Sequence, residues 1–129
     1  MKMALSEEDK KINKIFRKTK KAMESLEVYQ KEFDPVIKAY ARVRYQHDII
    51  NAKWEESGME ITEEYTNKNG SMNRRKTAEY QALETIRRDL LNYENVLGLT
   101  PIGLKKIKQK ALKKRGKSKL IEGINDCDS

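Results

Sequence analysis

The chain has 129 residues with 28 basic and 20 acidic side chains, a formal charge of +8, and is 37% charged against 37% hydrophobic. That is one domain's length with a thin core, and no window approaches the roughly 18 consecutive apolar residues of a membrane span. The single cysteine, Cys127, excludes an intrachain disulfide and a four-thiolate zinc site, and the opening residues turn acidic at Glu7-Glu8-Asp9 without a signal-peptide core, so the expectation is a soluble intracellular protein.

Four helical stretches and one turn-rich insert account for most of the sequence. The first helix is expected within residues 1–33, opening at Ser6 as N-cap with acids in its first turn. Ile12, Phe16, Met23, Leu26 and Phe33 form its apolar seam, and the helix is expected to end or bend before Asp34. Residues 1–25 carry eight basic groups against four acids.

The second helix opens at Asp34-Pro35, a capping residue with proline behind it. Val36, Tyr40, Val43, His47, Ile50 and Trp54 recur at helical spacing as one continuous stripe. Gly58 ends it. The insert at 58–76 places Met59, Ile61 and Tyr65 on one parity and carries the turn signal Asn69-Gly70. This pattern admits either a short hairpin or a mobile loop. The third helix is predicted from about Arg75 to Leu97, with the stripe Leu83, Ile86, Leu90, Tyr93 and Leu97, and with Gly98 as its left-handed terminator. Two rods of matched length joined through a loop pack as an antiparallel hairpin spanning 34–99.

A fourth helix starts at Thr100-Pro101 and occupies 100–119, with Leu104, Ile107 and Ala111 as a short stripe. Residues 101–119 hold nine basic groups and no acid, whereas 26–100 hold 11 basic and 13 acidic groups. Like charge without relief disfavours an isolated helix, so fraying is expected from Lys113 onward until an anion neutralises it. Residues 120–129, with three acids, read as a disordered acidic tail.

The catalytic inventory is poor. No phosphate-binding glycine loop, Gly-x-Ser-x-Gly or His-Glu-x-x-His pattern occurs, and the single histidine lies far from the single cysteine. His47 on its stripe reads as a core or interface residue rather than a base or ligand. Glu55-Glu56 and Glu63-Glu64 read as solvated acids. Trp54, Tyr40, Tyr80 and Tyr93 could stack on bases but fit helix packing better. The expectation is a protein that is not an enzyme and uses no metal and no cofactor.

An ordinary surface helix mixes its charges, and this one does not. Lys105, Lys106, Lys108, Lys110, Lys113, Lys114, Arg115 and Lys117 are therefore the candidate polyanion-binding residues. The first helix (Lys10, Lys11, Lys14, Arg17, Lys18, Lys20, Lys21) is the rival site, and Arg74-Arg75-Lys76 is a smaller third cluster. Two amphipathic rods enclose little core, so Tyr40, Val43, His47, Ile50, Trp54, Leu83, Ile86, Leu90 and Tyr93 are the candidate homo-oligomer interface. A different class of reading is a helical protein–protein adaptor whose basic tail docks an acidic partner. A small RNA-binding basic protein fits the charge but not the long stripes.

The sequence also resembles the small subunit of tailed-phage terminases, in the group without an obvious N-terminal helix-turn-helix. One carrier is Leu97-Gly98-Leu99-Thr100-Pro101 with Ile107 downstream, a long helix closing and a short basic helix opening. The other is the helix from Asp34 to Trp54 with Tyr40, Tyr45 and Trp54, ended by Gly58 and followed by a glycine-containing insert. Together they cover roughly residues 30–110. Members often open the third helix with an Asn-Pro-like pair, where this chain has Met72-Asn73-Arg74. Many also follow the Leu-Gly-Leu-Thr-Pro segment with a small residue and an arginine, where this chain has Ile102-Gly103-Leu104. The resemblance implies a mainly α, ring-like homo-oligomer: a non-enzymatic packaging factor, encoded by a phage or prophage, that works in the host cytoplasm. It implies three partners: double-stranded viral DNA, the large terminase subunit that holds the ATPase and nuclease, and further copies of itself.

Overall fold

The computed structural model describes residues 5–127, with side chains described as far as Gly116. Helix α1 (Glu7–Ser25) starts where the sequence signals it. Ser6 Oγ accepts a hydrogen bond from the Asp9 N–H at 3.1 Å, and three acids in the first turn face the positive end of the helix dipole. The helix stops at Ser25, earlier than its apolar seam suggests. Glu27 adopts a left-handed conformation (φ 61°), and the Val28 N–H donates to the Met23 carbonyl at 3.0 Å. This reversal buries Val28, and Leu26 and Phe33 pack against the same core from the turn rather than from a straight helix.

A single 3-10 turn (Lys31–Phe33) leads into α2 (Asp34–Glu56). Asp34 does not cap this helix as predicted; Phe33 holds the cap position without a side-chain bond. The Asp34 carboxylate instead accepts the Tyr29 hydroxyl at 2.7 Å, tying the corner between α1 and α2.

Helix α2 is the central rod, packed against α1 and against α3 (Ala78–Leu97). Two aromatic pairs fix the direction of α3. Tyr40 near the start of α2 meets Tyr93 near the end of α3 at 6.3 Å, and Trp54 at the far end of α2 meets Tyr80 at 6.1 Å. The rods are therefore antiparallel, as their stripes predict. The core holds Met23, Ile37, Leu83 and Leu97 without solvent exposure. Ile37 and Ala41, one turn apart on a second face of α2, are also fully buried.

Between the rods the insert forms a hairpin. Strands β1 (Thr62–Thr66) and β2 (Met72–Lys76) pair antiparallel, with Glu63 opposite Arg75 and Glu64 opposite Arg74. Gly70, at φ 85°, closes the turn, where its N–H donates to the Asn67 carbonyl at 2.9 Å. The hairpin is tied to the rods at its base. Trp54 Nε1 and the Thr77 hydroxyl both donate to the Glu60 carbonyl, at 3.0 and 2.8 Å. Because Arg75 and Lys76 belong to β2, α3 begins later than expected, with Thr77 Oγ1 accepting from the Tyr80 N–H at 3.2 Å.

Helix α4 runs from Pro101 to Cys127, well past the predicted end at residue 119 and through the predicted fraying point at Lys113. Lys, Leu, Ala, Gln and Arg are strong helix formers, and no proline follows Pro101 to stop them. The expected acidic tail is helical in backbone to Cys127; its side chains lie outside the described residues. No helix among the described residues is long and apolar enough to cross a membrane.

Candidate nucleic-acid interface

The basic helix is aimed by the corner that precedes it. Leu97 is fully buried, and Gly98 ends α3 in a left-handed conformation (φ 75°) while the Leu99 N–H donates to the Glu94 carbonyl at 2.9 Å. The Thr100 hydroxyl donates to the Asn95 side-chain oxygen and accepts from the Gly103 N–H at 3.0 Å, which caps α4. A Cβ added to Gly103 would overlap the Asn95 backbone, and one on Gly98 would meet Ile107 Cδ1 at 2.7 Å. These two glycines let α4 lie directly on the end of α3. Gly103, Leu104 and Ile107 make the packed side; Ala111, assigned to the same stripe from sequence, is exposed.

Beyond Ile107 the helix buries no side chain among the described residues. Every residue from Lys108 to Gly116 is exposed. Lys105, Lys106, Lys108, Lys110, Lys113, Lys114 and Arg115 are all exposed, and none forms an ion pair among the described residues. At ~100° per residue they point all round the helix rather than along one face. Lys117 lies in α4, but its side chain falls outside the described residues.

The two rival basic clusters differ. On α1, Lys10, Lys11, Lys14, Arg17, Lys18 and Lys21 are exposed opposite the packed seam, while Lys20 sits 5.0 Å over the Tyr29 ring. The cluster on β2 is offset in place. Arg75 pairs with Glu63 at 3.0 Å, Arg74 with Glu64 at 3.4 Å, and Lys76 with Glu84 at 3.1 Å. Glu63 and Glu64, read as solvated acids, are therefore cross-strand partners.

The stripe residues divide as well. Tyr40, Leu83 and Leu90 are buried inside one subunit, so they are unavailable as an outer surface. Matching stripes on α2 and α3 already satisfy them, and α1 covers the second face of α2. Val43, His47, Ile50, Trp54, Ile86 and Tyr93 remain half-buried. Val43 and Tyr93 line a shallow groove of about 440 Å³ between α2 and α3, together with Val36 and Val96. His47 Nδ1 lies 3.2 Å from Asp48 Oδ1. Trp54 is covered by Tyr80 and by Arg87, whose guanidinium stands 5.6 Å over its ring. The exposed Ile49, Leu91 and Val96 carry apolar surface that the stripe pattern missed, because each falls just outside the regular spacing.

A second cleft of about 560 Å³, also unforeseen, opens between the 3-10 turn, the end of α3 and α4. Phe33, Val96 and Ile107 supply apolar surface, and Lys106, Lys110 and Lys114 stand one helical turn apart along one wall. Its only sequence signal was the i, i+4, i+8 lysine spacing, hidden within a run of lysines.

Comparison with known proteins returns no match among curated proteins and none among solved structures. The sequence profile of the family described as phage terminase, small subunit, matches residues 13–114. That span takes in α1 from its second turn, both rods, the hairpin and α4 as far as Lys114. The chain belongs to the phage terminase small-subunit family.

Proposed function

We propose that this protein is a non-enzymatic DNA-packaging subunit of the host cytoplasm. It assembles with copies of itself, binds viral duplex DNA through the basic stretch of α4, and recruits or regulates the large terminase subunit. The observation that carries the DNA-binding part is the run of exposed cations from Lys105 to Arg115, with no acid interspersed and no ion pair among the described residues to offset it. Such a helix attracts phosphates irrespective of sequence, with affinity set by counterion release. The cluster on α1 lies within the same chain and adds to the field; in the cluster on β2, Arg74 and Arg75 pair across their own hairpin and Lys76 pairs with Glu84 of α3. Self-assembly draws its support from the half-buried Val43 and Tyr93 and the exposed Leu91 and Val96 along the rods.

The test replaces Lys105, Lys106, Lys108, Lys110, Lys113 and Lys114 with Gln. These side chains are exposed, so the fold is retained. Duplex affinity at low salt is expected to collapse, and the slope of log affinity against log salt to fall by up to about 5, at ~0.9 per phosphate contact. Unchanged binding would refute the assignment of α4.

A second reading has one feature in its favour. The cleft beside α4, apolar on its floor and lined by Lys106, Lys110 and Lys114, has the shape and charge for an acidic amphipathic segment of a protein partner. An adaptor of that kind retains its partner after nuclease treatment and shifts no duplex.

A further inference from the structure

The hairpin forms a two-stranded sheet, so β1 and β2 each present one edge without a strand partner among the described residues. Hydrogen bonds fix which backbone groups those edges show. The Asn67 N–H donates to the Ser71 carbonyl at 2.8 Å, and the Thr77 N–H donates to the Ile61 carbonyl at 2.9 Å. Antiparallel pairs alternate between bonded and non-bonded. Between those two limits, Glu63–Arg75 and Tyr65–Asn73 are the bonded pairs. Thr62–Lys76, Glu64–Arg74 and Thr66–Met72 turn their N–H and C=O groups outward. A lone two-stranded hairpin is marginal in water, and β2 is exposed at every residue. The sheet therefore keeps two open edges, held to the rods only at its base and through Lys76.

Charge decides what can complete it. The charged side chains of β1 are Glu63 and Glu64; those of β2 are Arg74, Arg75 and Lys76. Two β1 edges repel one another, and so do two β2 edges, which blocks the symmetric pairing that open edges otherwise invite. A β2 edge beside the β1 edge of another copy is attractive, and it repeats the cross-strand pairing already made within each hairpin. That contact is head-to-tail, so each copy keeps one edge free for the next until the assembly closes. Apolar surface accompanies it: Met72, Met59 and Ile61 are 67%, 51% and 50% exposed at the same hairpin.

We propose that the hairpin is a directional self-association surface, in which the basic β2 edge of one subunit pairs antiparallel with the acidic β1 edge of a second copy. This rests on the self-assembly proposed above and goes beyond it by adding a directional contact at the hairpin to the apolar surface along the rods.

The test is a charge-swapped chain carrying Glu63→Arg, Glu64→Arg, Arg74→Glu and Arg75→Glu. It keeps its cross-strand pairs and its own head-to-tail complementarity, but its β1 edge now repels the β2 edge of the wild type. Isotope-labelled wild type and swapped chain are unfolded and refolded together, and the assemblies are weighed by native mass spectrometry. Segregated assemblies, depleted at least several-fold in mixed species relative to a binomial distribution, are the expected result. Full-size assemblies mixed binomially overturn the hairpin contact alone, and that is also the outcome if a strand from another protein covers these edges. A wild type that stays a single subunit overturns self-assembly and the hairpin contact together. If the swapped chain fails to fold, Arg74→Pro provides an independent readout, because it removes an outward N–H while leaving the backbone bonds between β1 and β2 intact, at the loss of the Arg74 side-chain bonds to Thr62 and Glu64. Loss of assembly with helix content retained is expected; undiminished assembly overturns the proposal.

Discussion

Two tyrosines hold their protons against the solvent. Burial raises the pKa of Tyr40 above its ordinary value, and the neighbouring Glu94 carboxylate, to which its hydroxyl donates at 3.4 Å, raises it further. The hydrogen bond to Asp34 does the same for Tyr29, with burial second. A raised tyrosine pKa means that the folded state binds more protons than the unfolded chain near and above pH ~10. The contribution is complete below that pH and is lost as pH rises through the folded value. The urea midpoint should therefore fall above about pH 10, and Tyr40→Phe should flatten part of that fall while changing little at neutral pH. An equal fall in wild type and variant would show that Tyr40 is not its source. Gly103 makes a different demand. Gly103→Ala drives a methyl into the Asn95 backbone, which cannot swing aside as a side chain can, and it should cost about 1–3 kcal/mol in thermal or urea unfolding. Gly98 was legible in the sequence because a glycine after the last stripe residue signals a helix end. Gly103 was not, because its role is set by a backbone eight residues away in sequence rather than by its own helix.

Helices read well where one face alone is buried and badly where two are. The α2 stripe from Val36 to Trp54 and the α3 stripe from Leu83 to Leu97 found their antiparallel match. The second face of α2, Ile37 and Ala41, carries no sequence signal, because Lys38, Arg42 and Arg44 break any simple apolar period around it and its cover comes from the basic helix α1. Its weight can be measured: Ile37→Ala, at a site without solvent exposure, should cost about 2–5 kcal/mol, more than Val43→Ala on the half-buried stripe. The end of α1 was hidden for a local reason. Its left-handed residue is Glu27, not glycine, so no punctuation marks the reversal. The hairpin was half visible through Asn69-Gly70. What decides strand over loop is the opposition of Glu63 to Arg75 and Glu64 to Arg74, a pairing that emerges only once the register is known. For α4, like-charge repulsion argued for fraying, but high helix propensity and docking through Gly103, Leu104 and Ile107 outweigh it. The six-lysine neutralised variant should accordingly keep or raise its helix content in circular dichroism.

At the scale of the molecule, charge and packing divide the labour. Residues 26–100 are close to neutral, with 11 basic and 13 acidic groups, cross-strand ion pairs tie the hairpin, and the core centres on Met23, Ile37, Leu90 and Leu97. The cations left over are carried on α4 beyond Ile107 and on the outer face of α1. The run of exposed cations on α4 was legible because it is a property of composition, read without knowing the fold. Of the residues proposed for an interface, Tyr40, Leu83 and Leu90 are interior, because burial within one subunit cannot be told from burial between subunits by periodicity alone. The measurement that bears most directly on the account is the native mass of the purified protein at micromolar concentration, with and without a duplex, in low salt. A closed multiple of the 15.1 kDa chain that takes up DNA and releases it as salt rises is the expected result; a single subunit indifferent to duplex at low salt would refute self-assembly and DNA binding together.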